Sequence, residues 1–232
     1  RFMSHRELVT TAAAAVGAWV NAGARCEPVE LNGVSHLLEH MAFKGTRRRS
    51  ARAIAEEIES VGGHLNAYTS REQTAYIARV MKADIPLAVD LLADILQHTI
   101  MPDDELARER EVVIQEIAQV HDTPDDIVFD LFQETAFPDH PYGRPPRGTT
   151  DSVAAIAAAD LREAMAQRFA TANATIGVVG DIDPVTLGLC TQIELDEVIA
   201  KSADKRRKLE AEKAEKFEGP GLAPAQDEAS AY

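Results

Sequence analysis

Residues 33–46 read GVSHLLEHMAFKGT, and this stretch decides how the rest of the chain is arranged. Its apolar residues recur at i, i+3, i+4, i+7 and i+8, the spacing of one face of an α-helix. They are Val34, Leu37, Leu38, Met41 and Ala42. The pattern predicts a helix over residues 33–43 whose apolar face packs in the core. Asn32 is the expected N-cap, and Gly45 the expected stop.

Two histidines, His36 and His40, lie one turn apart on this helix. Their imidazoles therefore project from the same side, about 6 Å apart along the axis. That separation suits two nitrogens binding one Zn²⁺, and Glu39 beside them can reach a water held by the metal. The alternative is that both histidines are ordinary packed or solvated side chains. The H-x-x-E-H pattern fixes only three positions in five and therefore occurs by chance in many proteins. A third ligand elsewhere in the chain would favour the metal.

The composition of the chain limits the classes of molecule that it is expected to bind. The net charge is −14, with 38 acidic and 24 basic residues, which argues against a nucleic acid and fits a basic or neutral substrate. Hydrophobic residues make up 45% of the chain, enough for a globular core. No apolar run approaches eighteen residues, so no membrane span is predicted. Cys26 and Cys190 lack C-x-x-C spacing and are expected to be buried thiols in a reducing compartment.

Strands are predicted on both sides of the motif helix. Residues 13–21 are expected to form a buried strand, with helix as the alternative because alanine favours it. Residues 64–69 and 74–80 alternate apolar and polar side chains around a polar turn, which predicts a hairpin. Residues 174–180 are expected to form a further strand.

Several further helices are predicted. Ser50 is expected to cap a second helix that ends at Gly62, and Asp84 a third. A long helix over residues 103–120 carries Glu109 and Glu116 one heptad apart, along the edge of its apolar stripe. The remaining elements are helices over residues 127–136 and 160–169 and a loop over residues 137–149.

Two regions of the chain differ in amino-acid composition. Residues 1–190 are expected to form one globular lobe. Residues 191–232 contain few large apolar side chains and many charges, and are expected to be a solvated helix or a disordered tail.

Several segments in the same order resemble the M16 family of metallopeptidases, in particular its shorter bacterial and mitochondrial-processing-peptidase-like members. The family pattern is H-x-x-E-H followed by a glutamate about seventy-five residues later, and Glu116 follows His40 by 76 positions. The resembling segments are WVNAGARCE at 19–27, FKGT at 43–46, GGHLNAYT at 62–69, ERE…QEI at 109–117 and HPYGRP at 140–145.

The resemblance implies a role for individual residues. His36, His40 and Glu116 would bind Zn²⁺, leaving a position for water, and Glu39 would be the general base. Glu109 matches a family carboxylate that orients a ligand histidine, the alternative being a surface glutamate in an i, i+4 pair.

Substrate binding is also implied by the resemblance. Asn66 and Ala67 match the edge strand along which family members hold an extended peptide, although Asn66 also reads as an ordinary polar residue near a turn. His64 is not expected to be a ligand.

The resemblance further implies an α+β fold, a mainly antiparallel sheet with helices packed on one side. The function expected is a zinc-dependent endopeptidase acting on unfolded peptides or presequences. The alternatives are a non-catalytic structural or partner subunit, or a zinc-binding lobe that is inactive alone. Family subunits usually have two homologous lobes, the second helping to hold the substrate. This chain has room for one, so a homo- or hetero-oligomer that supplies the second is expected.

The expected location is the bacterial cytoplasm, with the periplasm and the mitochondrial matrix left open.

Overall fold

A computed structural model describes residues 13–169 and 173–180 of the chain. Within these residues four strands form one antiparallel sheet in the order β2-β3-β1-β4. The strands are β1 (Ala13–Val20), β2 (His64–Thr69), β3 (Thr74–Met81) and β4 (Ala174–Val179). Seven helices accompany this sheet in the described part of the chain, so the α+β fold expected from the sequence is confirmed.

The helices are numbered in chain order. They are α1 (Val34–Ala42), α2 (Ala51–Ser60), α3 (Ile85–His98), α4 (Asp103–Asp122), α5 (Pro124–Ala136), α6 (Thr150–Ala155) and α7 (Ala158–Arg168). Ser50 caps α2 as predicted, with its side chain accepting a hydrogen bond from the Ala53 backbone.

One face of the sheet forms a hydrophobic core. Because side chains alternate along a strand, Ala14 and Val16 of β1 share this face with Tyr76 and Ala78 of β3. They pack against apolar residues of α2 and α3. On the opposite face the Trp19 ring lies over Gly17 and Gly177, and its Nε1 donates to the Tyr68 hydroxyl at 3.3 Å. The bulk of the helical packing is therefore on one side of the sheet.

A second core joins α1, α4, α6 and α7. Its members are buried apolar side chains from all four helices. They include Val34, Leu37, Leu38, Met41, Leu106, Val113, Ile117, Val153 and Leu161. The apolar face predicted for the motif helix is thus buried against the apolar stripe of the long helix. At about 1.5–3 kcal/mol for each large apolar side chain, this seam fixes α1 firmly on α4.

A polar network fixes the loop that follows α1. Asp94 of α3 is buried and accepts hydrogen bonds from the Thr46 hydroxyl and the Arg49 guanidinium, both at 2.8 Å. Arg49 also bonds Glu57 and Asp90. The loop after α1 is therefore tied to the sheet-side core rather than left to solvent.

Three sequence predictions need correction. Gly33, with φ at +96°, is the N-cap of α1 instead of Asn32, whose side chain bonds Glu27 and the Pro145 oxygen. Cys26 is exposed rather than buried. Helix α6 was not predicted; Thr149 begins it by a reciprocal cap with Ser152.

The predicted tail at 191–232, the end of the predicted 1–190 lobe and Cys190 lie outside the described residues. None of the helices within residues 13–169 and 173–180 has the length and apolarity that crossing a membrane requires.

Candidate metal centre

His36 and His40 lie together on one side of α1, and both approach Glu116 of α4. Their ring centroids are 4.7 Å apart, and both side chains are largely buried, with 12% and 17% exposure. One helical turn of separation accounts for this arrangement, as the sequence predicted.

Glu116 of α4 completes a group of three ligating side chains. Its two carboxylate oxygens lie 3.6 Å from His36 Nε2 and 3.6 Å from His40 Nε2. Tetrahedral coordination with bonds of about 2.0–2.1 Å places neighbouring ligand atoms about 3.3–3.4 Å apart, so the spacing is close to that of a zinc site. Within the described residues these three form the one group of histidine, cysteine or acidic side chains with metal-binding spacing.

The protonation states also fit a metal. Burial lowers the pKa of His36 to about 3, and His40 and Arg147 act in the same direction. His36 is therefore neutral at pH 7, and its 3.6 Å contact with Glu116 is not an ion pair. A neutral imidazole is the form that zinc requires.

Glu109 fixes the orientation of His40. Its carboxylate lies 3.0 Å from His40 Nδ1 and 2.6 Å from the Lys44 ammonium, and the residue is only 6% exposed. A carboxylate at Nδ1 holds the tautomer that carries its proton there, which leaves Nε2 free to bind a metal. The alternative interpretation of Glu109 as a surface glutamate is wrong, because the residue is buried.

Glu39 lies beside the two histidines and is bonded to the sheet. Thr69, the last residue of β2, donates its hydroxyl to Glu39 at 2.6 Å. Burial raises the pKa of the Glu39 carboxyl above its ordinary value and nearby Glu116 contributes in the same direction, while the Thr69 bond opposes the shift. A carboxylate with a raised pKa is a stronger base than one in water.

Glu27 holds the beginning of α1. Its buried carboxylate accepts hydrogen bonds from the backbone N–H groups of Gly33 at 2.8 Å and Ser35 at 2.7 Å, and from the Asn32 amide at 3.0 Å. It satisfies N–H groups that a helix leaves unpaired and places a negative charge at the positive end of the helix dipole. The helix turn that carries His36 is thereby fixed.

The predicted substrate residues lie on β2, which pairs only with β3 within the described part of the chain. Ala67 faces the core, whereas Asn66 is exposed on the opposite face of the sheet. Any contact of both with one peptide would therefore use the backbone at the strand edge. His64 is exposed and is not part of the metal-binding group, as expected.

Comparison with known proteins identifies the family of this chain. Residues 3–150 match the model of the insulinase family, peptidase family M16. A probable mitochondrial-processing peptidase subunit beta of Arabidopsis thaliana is 44% identical over 169 residues, which cover 73% of this chain and 32% of that protein. An uncharacterized zinc protease of Streptomyces coelicolor is 40% identical over 176 residues, or 76% of this chain and 38% of that protein.

A solved structure of a protease from Helicobacter pylori superposes with a TM-score of 0.75 at 26% identity. The match covers 83% of this chain and 45% of that one. The chain belongs to the M16 family of peptidases. It spans about a third of the length of the two curated relatives that it matches here.

The arrangement predicts one Zn²⁺ per chain. We expect His40→Ala to lose stoichiometric zinc and Glu109→Gln to weaken zinc binding about 10–100-fold, because the amide no longer holds the His40 tautomer. Metal analysis and competition with a chelator measure both. His64→Ala, which removes an exposed histidine, is the control. Full zinc retention by His40→Ala would contradict the site.

Glu27 generates a prediction about stability. Glu27→Gln places an amide NH₂ against backbone donors, so we expect the free energy of unfolding to fall by about 1–3 kcal/mol. Denaturation of the zinc-free chain measures this. Glu30→Gln removes an exposed charge from the adjacent 3₁₀ turn and is expected to change stability by less than about 0.5 kcal/mol. Equal stability of the two variants would show that the Glu27 contacts contribute nothing.

Proposed function

We propose that this chain is the metal-binding lobe of a zinc-dependent endopeptidase that hydrolyses peptide bonds in unfolded peptides or presequences. The observation that carries the proposal is the convergence of His36, His40 and Glu116 at zinc-binding distances, with Glu39 beside them. Membership of a peptidase family supports it.

The proposed chemistry divides roles among these groups. His36, His40 and Glu116 would hold the ion. When bound, Zn²⁺ polarises a carbonyl and acidifies a water. Glu39 would take the proton of the attacking water and deliver it to the leaving amine. Its hydrogen bond from Thr69 keeps one carboxylate oxygen directed toward β2, which leaves the other for the proton transfer.

The edge of β2 supports an extended peptide as the substrate. A strand that pairs on one side only offers main-chain donors and acceptors to a peptide. Because Thr69 at the end of this strand bonds Glu39, a peptide added along β2 would run toward the proposed base. Recognition through the main chain tolerates many sequences, as hydrolysis of unfolded peptides requires.

The non-catalytic alternative is less well supported. A structural subunit needs neither a His pair whose tautomer is fixed nor a buried carboxylate beside it. Glu39 and Glu109 are both largely withdrawn from water, which costs free energy that packing alone would not require.

An exposed apolar surface supports a second lobe or partner subunit. Four residues of α5 turn outward: Val128, Phe129, Leu131 and Phe132 are 53%, 69%, 52% and 62% exposed. Asp130 and Gln133 of the same helix are less exposed than these four apolar residues, whereas on an ordinary surface helix the polar residues are the more exposed ones. We propose that this α5 apolar surface is covered by the remaining part of the peptidase, on the same or another chain.

The proposed role of Glu39 as the general base is tested separately from the roles of the metal ligands. We expect Glu39→Gln to retain zinc and to lose peptide hydrolysis, because the amide cannot accept the water proton. Zinc content and cleavage of an unstructured peptide are measured on the same preparation. Glu72→Gln, an exposed carboxylate outside the centre, serves as the control. Loss of zinc from Glu39→Gln would mean that Glu39 is a ligand and that the roles are wrongly divided.

The proposal that a second lobe is needed for full peptidase activity gives another prediction. We expect the isolated zinc-loaded chain to hydrolyse peptide about 10²–10³-fold more slowly than it does with a partner carrying a second lobe, because we propose that the second lobe supplies transition-state donors and substrate contacts. Cleavage of a basic peptide with and without that partner measures the difference.

The α5 apolar surface is tested in the same assay. Phe129→Ser with Phe132→Ser should leave the lobe folded and reduce stimulation by the partner, whereas Val112→Ser on α4 should not. Full activity of the isolated monomer would overturn the expectation of a missing lobe.

A further inference from the structure

Arg147 is held against the helix that carries the metal-binding histidines. The segments 32–33 and 147–148 meet so closely that a Cβ on Gly33 would lie 2.6 Å from the Arg147 carbonyl oxygen, and one on Gly148 would lie 2.3 Å from the Asn32 oxygen. Both glycines have positive φ, at +96° and +79°. The Arg147 backbone is therefore in a fixed position relative to α1.

The Arg147 side chain lies beside the candidate active site. The backbone of Arg147 lies against Gly33, three residues before His36, and its positive charge acts on both His36 and Glu39, lowering the pKa of each. It also lines a cavity of about 1090 Å³ formed by α4, α5 and the segment 137–152. Arg147 thus belongs both to the wall of this cavity and to the segment packed against the beginning of α1.

No residue in the described part of the chain pairs with this charge. Within the described residues the Arg147 side chain forms neither an ion pair nor a hydrogen bond. Arg144, the other arginine of the cavity wall, donates to the Glu27 backbone oxygen, and nearby Arg71 donates to Tyr142 and Asp130. A guanidinium with five free donors suits a carboxylate, which it can bind through two parallel hydrogen bonds.

We propose that Arg147 is a specificity-determining residue that binds a carboxylate of the peptide substrate next to the scissile bond. This proposal rests on the proposed function, because it takes the metal centre as the position of that bond. The carboxylate belongs either to an Asp or Glu side chain or to the free C-terminus of a short peptide. Five acidic residues also line the cavity, namely Glu27, Asp130, Glu134, Asp139 and Asp151. The preference for a carboxylate is therefore confined to the position that Arg147 reaches.

Binding without turnover tests this subsite. The zinc-loaded full chain with Glu39→Gln is titrated with labelled peptides that carry Asp, Ala or Lys at single positions on either side of one bond. Each peptide is prepared with a free and an amidated C-terminus, which separates the two sources of the carboxylate.

At one position, or at the free C-terminus, we expect the carboxylate form to bind about tenfold more tightly than its neutral counterpart. Arg147→Met should remove this difference, and Arg147→Glu should reverse it in favour of Lys. Arg47→Glu, which makes the same charge change on an exposed loop residue, should leave the preference intact.

The outcomes separate this proposal from the proposed function. If zinc is bound and Arg147→Glu keeps the same preference as the unmodified chain, the subsite proposal is overturned. It is overturned also if the zinc-loaded chain shows no preference at any position. If the chain fails to bind zinc, the proposed function fails first. Should Arg147→Glu fail to fold, the Arg147→Met comparison decides.

Discussion

The packing of α1 on α4 is the constraint on which the rest of this molecule depends. Leu37, Leu38 and Met41 are buried in the seam between the helices. Because a helix has 3.6 residues per turn, His36 and His40 lie together on a different side of α1 from these three residues. The same packing sets the rotation of α4, so that a carboxylate oxygen of Glu116 lies 3.6 Å from the Nε2 atom of each histidine. Apolar burial therefore provides the free energy that assembles a polar site.

Polar contacts then fix the orientation of the side chains that the packing of α1 on α4 brings together. Glu27 closes the first turn of α1, Glu109 with Lys44 orients His40, and Thr69 connects Glu39 to the sheet. Each is a carboxylate or hydroxyl withdrawn from water and satisfied by a partner, as buried polar groups must be. The outward-facing apolar surface of α5 and the guanidinium of Arg147 have no such partner within the described residues. Both are features that a further molecule would satisfy.

Periodic sequence patterns predicted most of the helices and strands, and the resemblance to the M16 family predicted the fold class and which residues form the candidate metal centre. The strands, the motif helix and the long helix with Glu109 and Glu116 follow from local spacing. The contacts of Glu27, Thr69 and Arg147 could not be predicted, because they join residues far apart in sequence that a pattern does not connect. Asn32 was the expected cap because its type favours that position, yet the buried carboxylate of Glu27 supplies two hydrogen bonds there. At the N-terminal end of α1, the tertiary contact with Glu27 therefore outweighs the local preference of Asn32 for the cap position.

Anomalous diffraction at the zinc absorption edge, from crystals of the zinc-loaded chain, tests the central claim most directly. The account predicts a strong peak between His36 Nε2, His40 Nε2 and the Glu116 carboxylate, about 2.0–2.2 Å from each. A well-occupied zinc peak elsewhere, with these three side chains not coordinating metal, would contradict it.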